Sequence, residues 1–242
     1  MTTWSKGAYN PIIVDHKRLV KGVLQGAITL YRNFENLHED KKQTILKACI
    51  QEFADKGYDK ASTNSIIKEA AISKGILFHY FKNKRRLFLY IVDYCIQKML
   101  AEFDKYPLTE TRDIFQRLSE LGVIKLKIAH EYPYIVKLFV EGLMNSPQDM
   151  RTEIEQKYVQ ASKESMPMFF KDIDYSRFRS GVEASKAIEI IMLFLGALGE
   201  KYLKDYKGKE QDLFENYDKI MAEYMEYLEI LKYGMYDLEL KN

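Results

Sequence analysis

The chain has 242 residues, 47% of them hydrophobic, with 37 basic and 35 acidic side chains and a net charge of +2. That apolar content buries a core and excludes a disordered chain, while only 12 glycines and 5 prolines point to long helices rather than many short strands. Two cysteines, Cys49 and Cys95, with no CxxC spacing exclude a disulfide framework and a cysteine-ligated zinc site.

The N-terminus lacks the apolar stretch of a signal peptide. The longest apolar run, 190–198, is far short of the ~20 residues that span a bilayer. The expectation is an all-α, cytoplasmic protein with no membrane partner. Charge is unevenly spread: residues 1–38 carry five basic and two acidic groups, 39–88 eleven and six, and 89–242 twenty-one and twenty-seven. A basic N-terminal third on an acidic remainder suggests a polyanion-binding head on a body with another task.

Residues 1–38 form an N-terminal extension with two open readings. Val20, Leu24, Ile28 and Tyr31 share a helical face, so it is either a basic helix or arm, or the product of a misassigned start, with translation beginning near Leu37. From 39 to 56, Ile45, Cys49 and Phe53 recur at helical spacing, and Gly57 reads as the residue that ends the helix. Thr63, Ser73 and Asn83 each read as an N-cap, giving two short helices and a long one to about 103. Two seven-residue helices so close together are the pattern of a helix-turn-helix.

Pro107, Pro133, Pro147 and Pro167 then punctuate helices near 110–131, 134–145, 148–171 and 176–206, with a last one near 210–236. In that last helix Leu213, Tyr217, Ile220, Tyr224, Tyr227 and Leu231 follow spacings of 4, 3, 4, 3 and 4, the seam of a helix packed along a partner. Ile191, Leu195 and Leu198 lie on the preceding helix beside Gly196 and Gly199. Together these residues read as a homodimer interface, the alternative being ordinary burial in a core.

Residues 62–88, STNSIIKEAAISKGILFHYFKNKRRLF, resemble the DNA-binding segment of the TetR (tetracycline-repressor) family of bacterial transcription regulators. Thr63, Ile66, Ala70, Ser73, Gly75, Leu77, Tyr80, Phe81, Lys84 and Leu87 stand at the family's positions; Ile67, Ala71, Ile76 and Phe78 depart from it. The resemblance implies a three-helix DNA-binding domain at 39–99 with its motif at 62–81, and a helical ligand-binding and dimerisation domain at 100–242. It also implies a repressor that binds a palindromic operator as a dimer through the major groove, released by a small-molecule inducer.

Within the motif, Ser73 opens a helix whose free N–H groups and positive dipole end suit a phosphate or a base edge, and Gly75 allows close approach to the duplex. Lys74 and Lys84, with the hydroxyls of Thr63, Ser73 and Tyr80, are candidates for phosphate contacts. Ile76 and Phe78 offer apolar contact, whose natural target is a thymine methyl, and His79 completes the outward set. Phe78 and Tyr80 alternatively pack on the first helix. Leu77 and Phe81 face the core.

Candidate pocket residues in the body are Phe103, Tyr134, Phe139, Met144, Met166, Phe169, Phe170 and Met192, since aromatic and methionine side chains suit an adaptable apolar cavity. Glu141 and Glu183 are the candidate buried charges, and the expected inducer is hydrophobic, cationic or neutral. No cofactor or metal site is expected: His79 has no second ligand at helical spacing. No GxSxG, HExxH or phosphate loop occurs, so catalysis is not expected. The alternative function is a helical protein-interaction module derived from this fold without operator binding.

Overall fold

Helix boundaries follow capping chemistry and glycine placement. The computed structural model describes residues 31–106, 111–206 and 209–236, with the backbone alone for 162–169 and 210. Residues 1–30, and with them most of the extension, lie outside the described residues. Among the described residues are eleven α-helices and one 3-10 turn. The first seven are α1 (Arg32–Glu35), α2 (Glu39–Lys60), α3 (Thr63–Glu69), α4 (Lys74–Phe81), α5 (Lys84–Asp104), α6 (Ile114–Glu131) and α7 (Pro133–Met144). The others are α8 (Gln148–Phe170), α9 (Ala184–Asp205), α10 (Glu210–Glu215) and α11 (Tyr217–Met235), with the 3-10 turn at Tyr175–Arg177.

Gly57 adopts φ 65°, which breaks α2 into a long helix and a short turn and needs a residue without a Cβ. Ser73 and Asn83 cap α4 and α5, accepting from the N–H groups of Ile76 (3.3 Å) and Arg86 (2.9 Å). The cap of α3 is Ser62, not Thr63. Ser62 is extended (φ −110°) and accepts from the N–H of Ser65, which makes Thr63 the first helical residue. The turn between α3 and α4 places Ala71 at φ 50°, a left-handed conformation that costs an alanine about 1–2 kcal/mol.

Around α5 the chain forms one continuous core. Six successive residues, Leu87, Phe88, Leu89, Tyr90, Ile91 and Val92, are all buried, so this stretch is covered on every side and not on one stripe. One side meets α2, α3 and α4 through Ile45, Phe53, Ile66, Leu77 and Phe81; the other meets α7 and α8 through Ile135, Leu138, Met150 and Ile154. A domain boundary at 99 falls inside α5, which runs to Asp104.

The residues just before α2 belong to this core. Phe34 is 0% exposed and sits 4.8 Å from Phe81 and 5.4 Å from Tyr90, ring to ring. Tyr31 packs on the same two rings and donates its hydroxyl to the Arg86 carbonyl. Glu35 accepts from the Tyr90 hydroxyl and pairs with Lys42, both at 2.5 Å.

Behind the head, α6 packs along α11. Gly122 of α6 is the point of closest approach, where an added Cβ would come within 3.0 Å of Met225, Tyr224 and Met221. Asp113 ties the far end together: it caps α6, pairs with Arg177 at 2.6 Å and accepts from the Tyr236 hydroxyl at 3.0 Å. Truncating Phe34 to alanine should therefore cost about 3–5 kcal/mol, as for a fully buried phenylalanine, read by chemical denaturation. A loss under about 1 kcal/mol would show that the segment before α2 contributes nothing to the head.

Candidate DNA-reading head and ligand cavity

α4 is too short to be stable alone. It is held by Leu77 and Phe81, both 0% exposed, four residues apart on its inner face. This arrangement turns Ser73, Lys74, Gly75 and His79 fully outward and leaves Ile76, Phe78 and Tyr80 half-buried. The Ser73 end of the helix is open to solvent, and the nearest atom to an added Gly75 Cβ is the Ser73 hydroxyl at 3.9 Å. Thr63 is half-buried at the start of α3.

Three candidates, Tyr80, Lys84 and His79, are already engaged within the head. Tyr80 rests edge-on against Phe34 at 5.6 Å. The Lys84 ammonium donates to the Asp59 carbonyl and lies 4.7 Å over the Tyr58 ring. His79, on the outer face, has its ring nitrogen 3.0 Å from the Asn33 amide, so the segment before α2 also orients a side chain of the reading helix. Arg85 pairs with Glu153 and Asp149 on α8. Tyr31, Asn33 and Phe34 were not legible as head residues, because they precede the motif and follow no period of it.

A cavity of about 450 Å³ opens in the body between α6, α7, α9, α10 and α11, within the size range of small-molecule sites. Its walls are Leu118, Leu121, Val140, Phe170, Met192, Leu195, Leu198, Leu213, Ile220 and Met221, with Tyr202, Tyr217 and Tyr224. Gly196 and Gly199 also line it, and an added Cβ at either would meet nothing within 4 Å. One ionisable amine is present: Lys125. The residue as a whole is exposed, yet desolvation of its ammonium lowers its pKa from the ordinary 10.5.

The expected pocket set divides accordingly. Phe170 and Met192 line the cavity, and the side chains of Met166 and Phe169 lie outside the described residues. Phe139 instead packs on Tyr158 at 4.5 Å, Phe103 packs against the Ile124 cluster, Met144 is buried elsewhere, and Tyr134 is exposed beside α2. Neither expected carboxylate is in the cavity. Glu141 lies against Gly57, and Glu183 is solvent-exposed and bonded to Ser185.

The residues of the expected dimer seam have neighbours within the chain itself. Leu195, Leu198, Leu213, Tyr217, Ile220 and Tyr224 are cavity walls of the same chain; Ile191 and Leu231 pack into the core around Phe115, and Tyr227 meets Phe194 edge-on at 5.2 Å. Periodicity identified an apolar face, and within one chain that face meets the cavity and α6. The exposed apolar residues of these helices lie a step round: Ile190 and Leu193 (67% exposed) on α9, Ile230 (66%) and Tyr233 on α11.

Since Lys125 is held below its unfolded pKa, the unfolded chain binds the proton more tightly. The charged lysine thus destabilises the empty fold at neutral pH, a penalty that fades as pH rises through the folded pKa towards 10.5. Lys125→Met should therefore raise Tm at pH 7, with the gain shrinking as pH rises towards 10.5. A Tm lowered at pH 7 would contradict this.

A family profile described as bacterial regulatory proteins, tetR family, matches residues 45–91, spanning α2 to α5. The HTH-type transcriptional regulator RutR of Escherichia coli is 28% identical over 127 residues, covering 51% of this chain and 58% of the relative. QacR of Staphylococcus aureus is 29% identical over 126 residues, covering 50% and 65%. The chain thus spans less than two thirds of these relatives. In fold, a TetR family regulator from Chloroflexus aurantiacus has a TM-score of 0.55 at 21% identity, covering 85% of this chain and 98% of its own. TylP, a TetR regulator of Streptomyces fradiae, gives 0.52 at 13%, covering 83% and 89%. The helix-turn-helix segment is thus similar in sequence to the tetR family, and the described fold is similar to that of solved TetR family regulators.

Proposed function

We propose that this chain is a bacterial transcriptional regulator, acting as a repressor, that binds a palindromic operator as a homodimer and lets go when a small molecule fills the body cavity. The observation that carries the reading is α4: eight residues pinned at Leu77 and Phe81, with Lys74, Gly75, His79 and an open N-terminus facing outward. Such a helix has the length and exposure to enter the major groove. The names of RutR and QacR as transcriptional regulators support it.

In this reading Ser73, Thr63 and Lys74 hold phosphates, Tyr80 reaches one with its hydroxyl, and Lys84 sets the position of α5 while its charge faces the backbone. Ile76, Phe78 and His79 meet base edges, and Asn33 fixes the ring of His79. Ile190, Leu193, Ile230 and Tyr233 supply the apolar face on which two copies pair, since an exposed patch of this kind marks an interface. The site of action is the cytoplasm, on the nucleoid when bound.

Binding to a DNA fragment from upstream of its own gene, against a shuffled control and across a salt series, tests this. Expected is tight binding to the native fragment alone, two protected half-sites, and affinity falling steeply with salt. Lys74→Ala should reduce the salt slope by about one. Replacing half-site thymines by uracil removes methyls worth about 0.8 kcal/mol each, about fourfold in affinity. Equal binding to both fragments would overturn operator recognition, and indifference to uracil would overturn the apolar contacts of Ile76 and Phe78.

A further inference from the structure

The body cavity is apolar on nearly every wall, yet its lining includes a lysine. Lys125 has no hydrogen bond or ion pair among the described residues, and its lowered pKa has burial as its sole cause, with no neighbouring charge offsetting it. Two of the three cavity tyrosines are satisfied: Tyr202 donates to Glu223 at 2.7 Å and Tyr224 to the Leu118 carbonyl at 3.0 Å. Tyr217 has no hydrogen-bond partner among the described residues, and burial pushes its pKa up to about 12, so it remains a donor. The cavity therefore holds two uncommitted donors, one of them cationic, and no lining carboxylate.

A partly desolvated charge on an apolar wall without a counter-charge is costly, and an anion in the same space offsets that cost. A cationic ligand adds a like charge, and a neutral one leaves the ammonium unpaired. A phosphate dianion exceeds what a single lysine balances in apolar surroundings. We propose that the cavity binds an amphipathic monocarboxylate, its apolar body against Leu118, Phe170, Met192 and Leu195 and its carboxylate held by Lys125 and Tyr217. The glycine-lined α9 wall, open at Gly196 and Gly199, gives the apolar body room. This identifies the ligand of the regulatory reading above and rests on that reading for its consequence at DNA, but not for binding itself.

Titration calorimetry on the full chain with decanoate, decanol and decyltrimethylammonium, each below its micellar concentration, tests the assignment without DNA. Decanoate should bind at least tenfold more tightly than decanol, and the ammonium compound should not bind. Lys125→Met should weaken decanoate tenfold or more while leaving decanol unchanged, and Tyr217→Phe should weaken decanoate several-fold. A melting curve for each variant verifies that it is folded. Failure of decanoate to bind, equal binding of decanoate and decanol, or unchanged decanoate affinity in Lys125→Met would each overturn the proposal. A chain that binds decanoate but no operator refutes the regulator reading alone; one that binds operator but not decanoate refutes this inference alone.

Discussion

Burial of α5 on every side is the constraint on which the rest of the structure depends. A helix packed along one stripe rolls or slides at modest cost, but one covered all round between Leu87 and Val92 cannot move without opening two interfaces at once. Because the same helix seats α4 through Phe81 and Tyr90 and seats the body through Ile135, Leu138 and Ile154, head and body share a core. Relative motion is the ordinary expectation for two domains joined by a small polar interface; here the interface is apolar and continuous.

Polar links follow the same joint. Lys137 of α7 pairs with Asp55 of α2 at 2.9 Å, Lys157 of α8 with Asp93 of α5 at 2.8 Å, and Arg85 of α5 with Glu153 of α8 at 3.1 Å. Exposed pairs of this kind are individually worth under about 1 kcal/mol, so they set register more than strength. α7 matters most: Val140 lines the cavity, Lys137 holds α2, and Glu141 lies against Gly57. A ligand that shifts α7 acts on the head through packed atoms, which is the physical content a coupling between sites requires.

Much of this was legible in the sequence, and the exceptions share a cause. Ser73, Asn83, Gly57 and the Leu77–Phe81 pair announced the head because caps, a left-handed glycine and i, i+4 burial are local chemistry. What depends on the partner of a face was not legible. The seam of Leu213, Tyr217, Ile220 and Tyr224 is real as a period, but its neighbours are a cavity and α6, which receives it at Gly122. Phe34 and Asn33 precede the motif, and only the fold brings them to Phe81 and His79. Lys125 resembles any surface lysine in a helix until the fold sets it on the cavity wall.

The claim that head and body move as one unit is tested most directly by a distance between the two heads. A nitroxide on Asn64→Cys, an exposed position of α3, is selective because Cys49 and Cys95 are buried and burial raises their thiol pKa values. Pulsed dipolar spectroscopy on the ligand-free protein should give a single narrow distance between two copies. A distribution spread over many ångströms would show heads hinged on the body, and the absence of any such distance would show a chain that does not pair; either result contradicts the account.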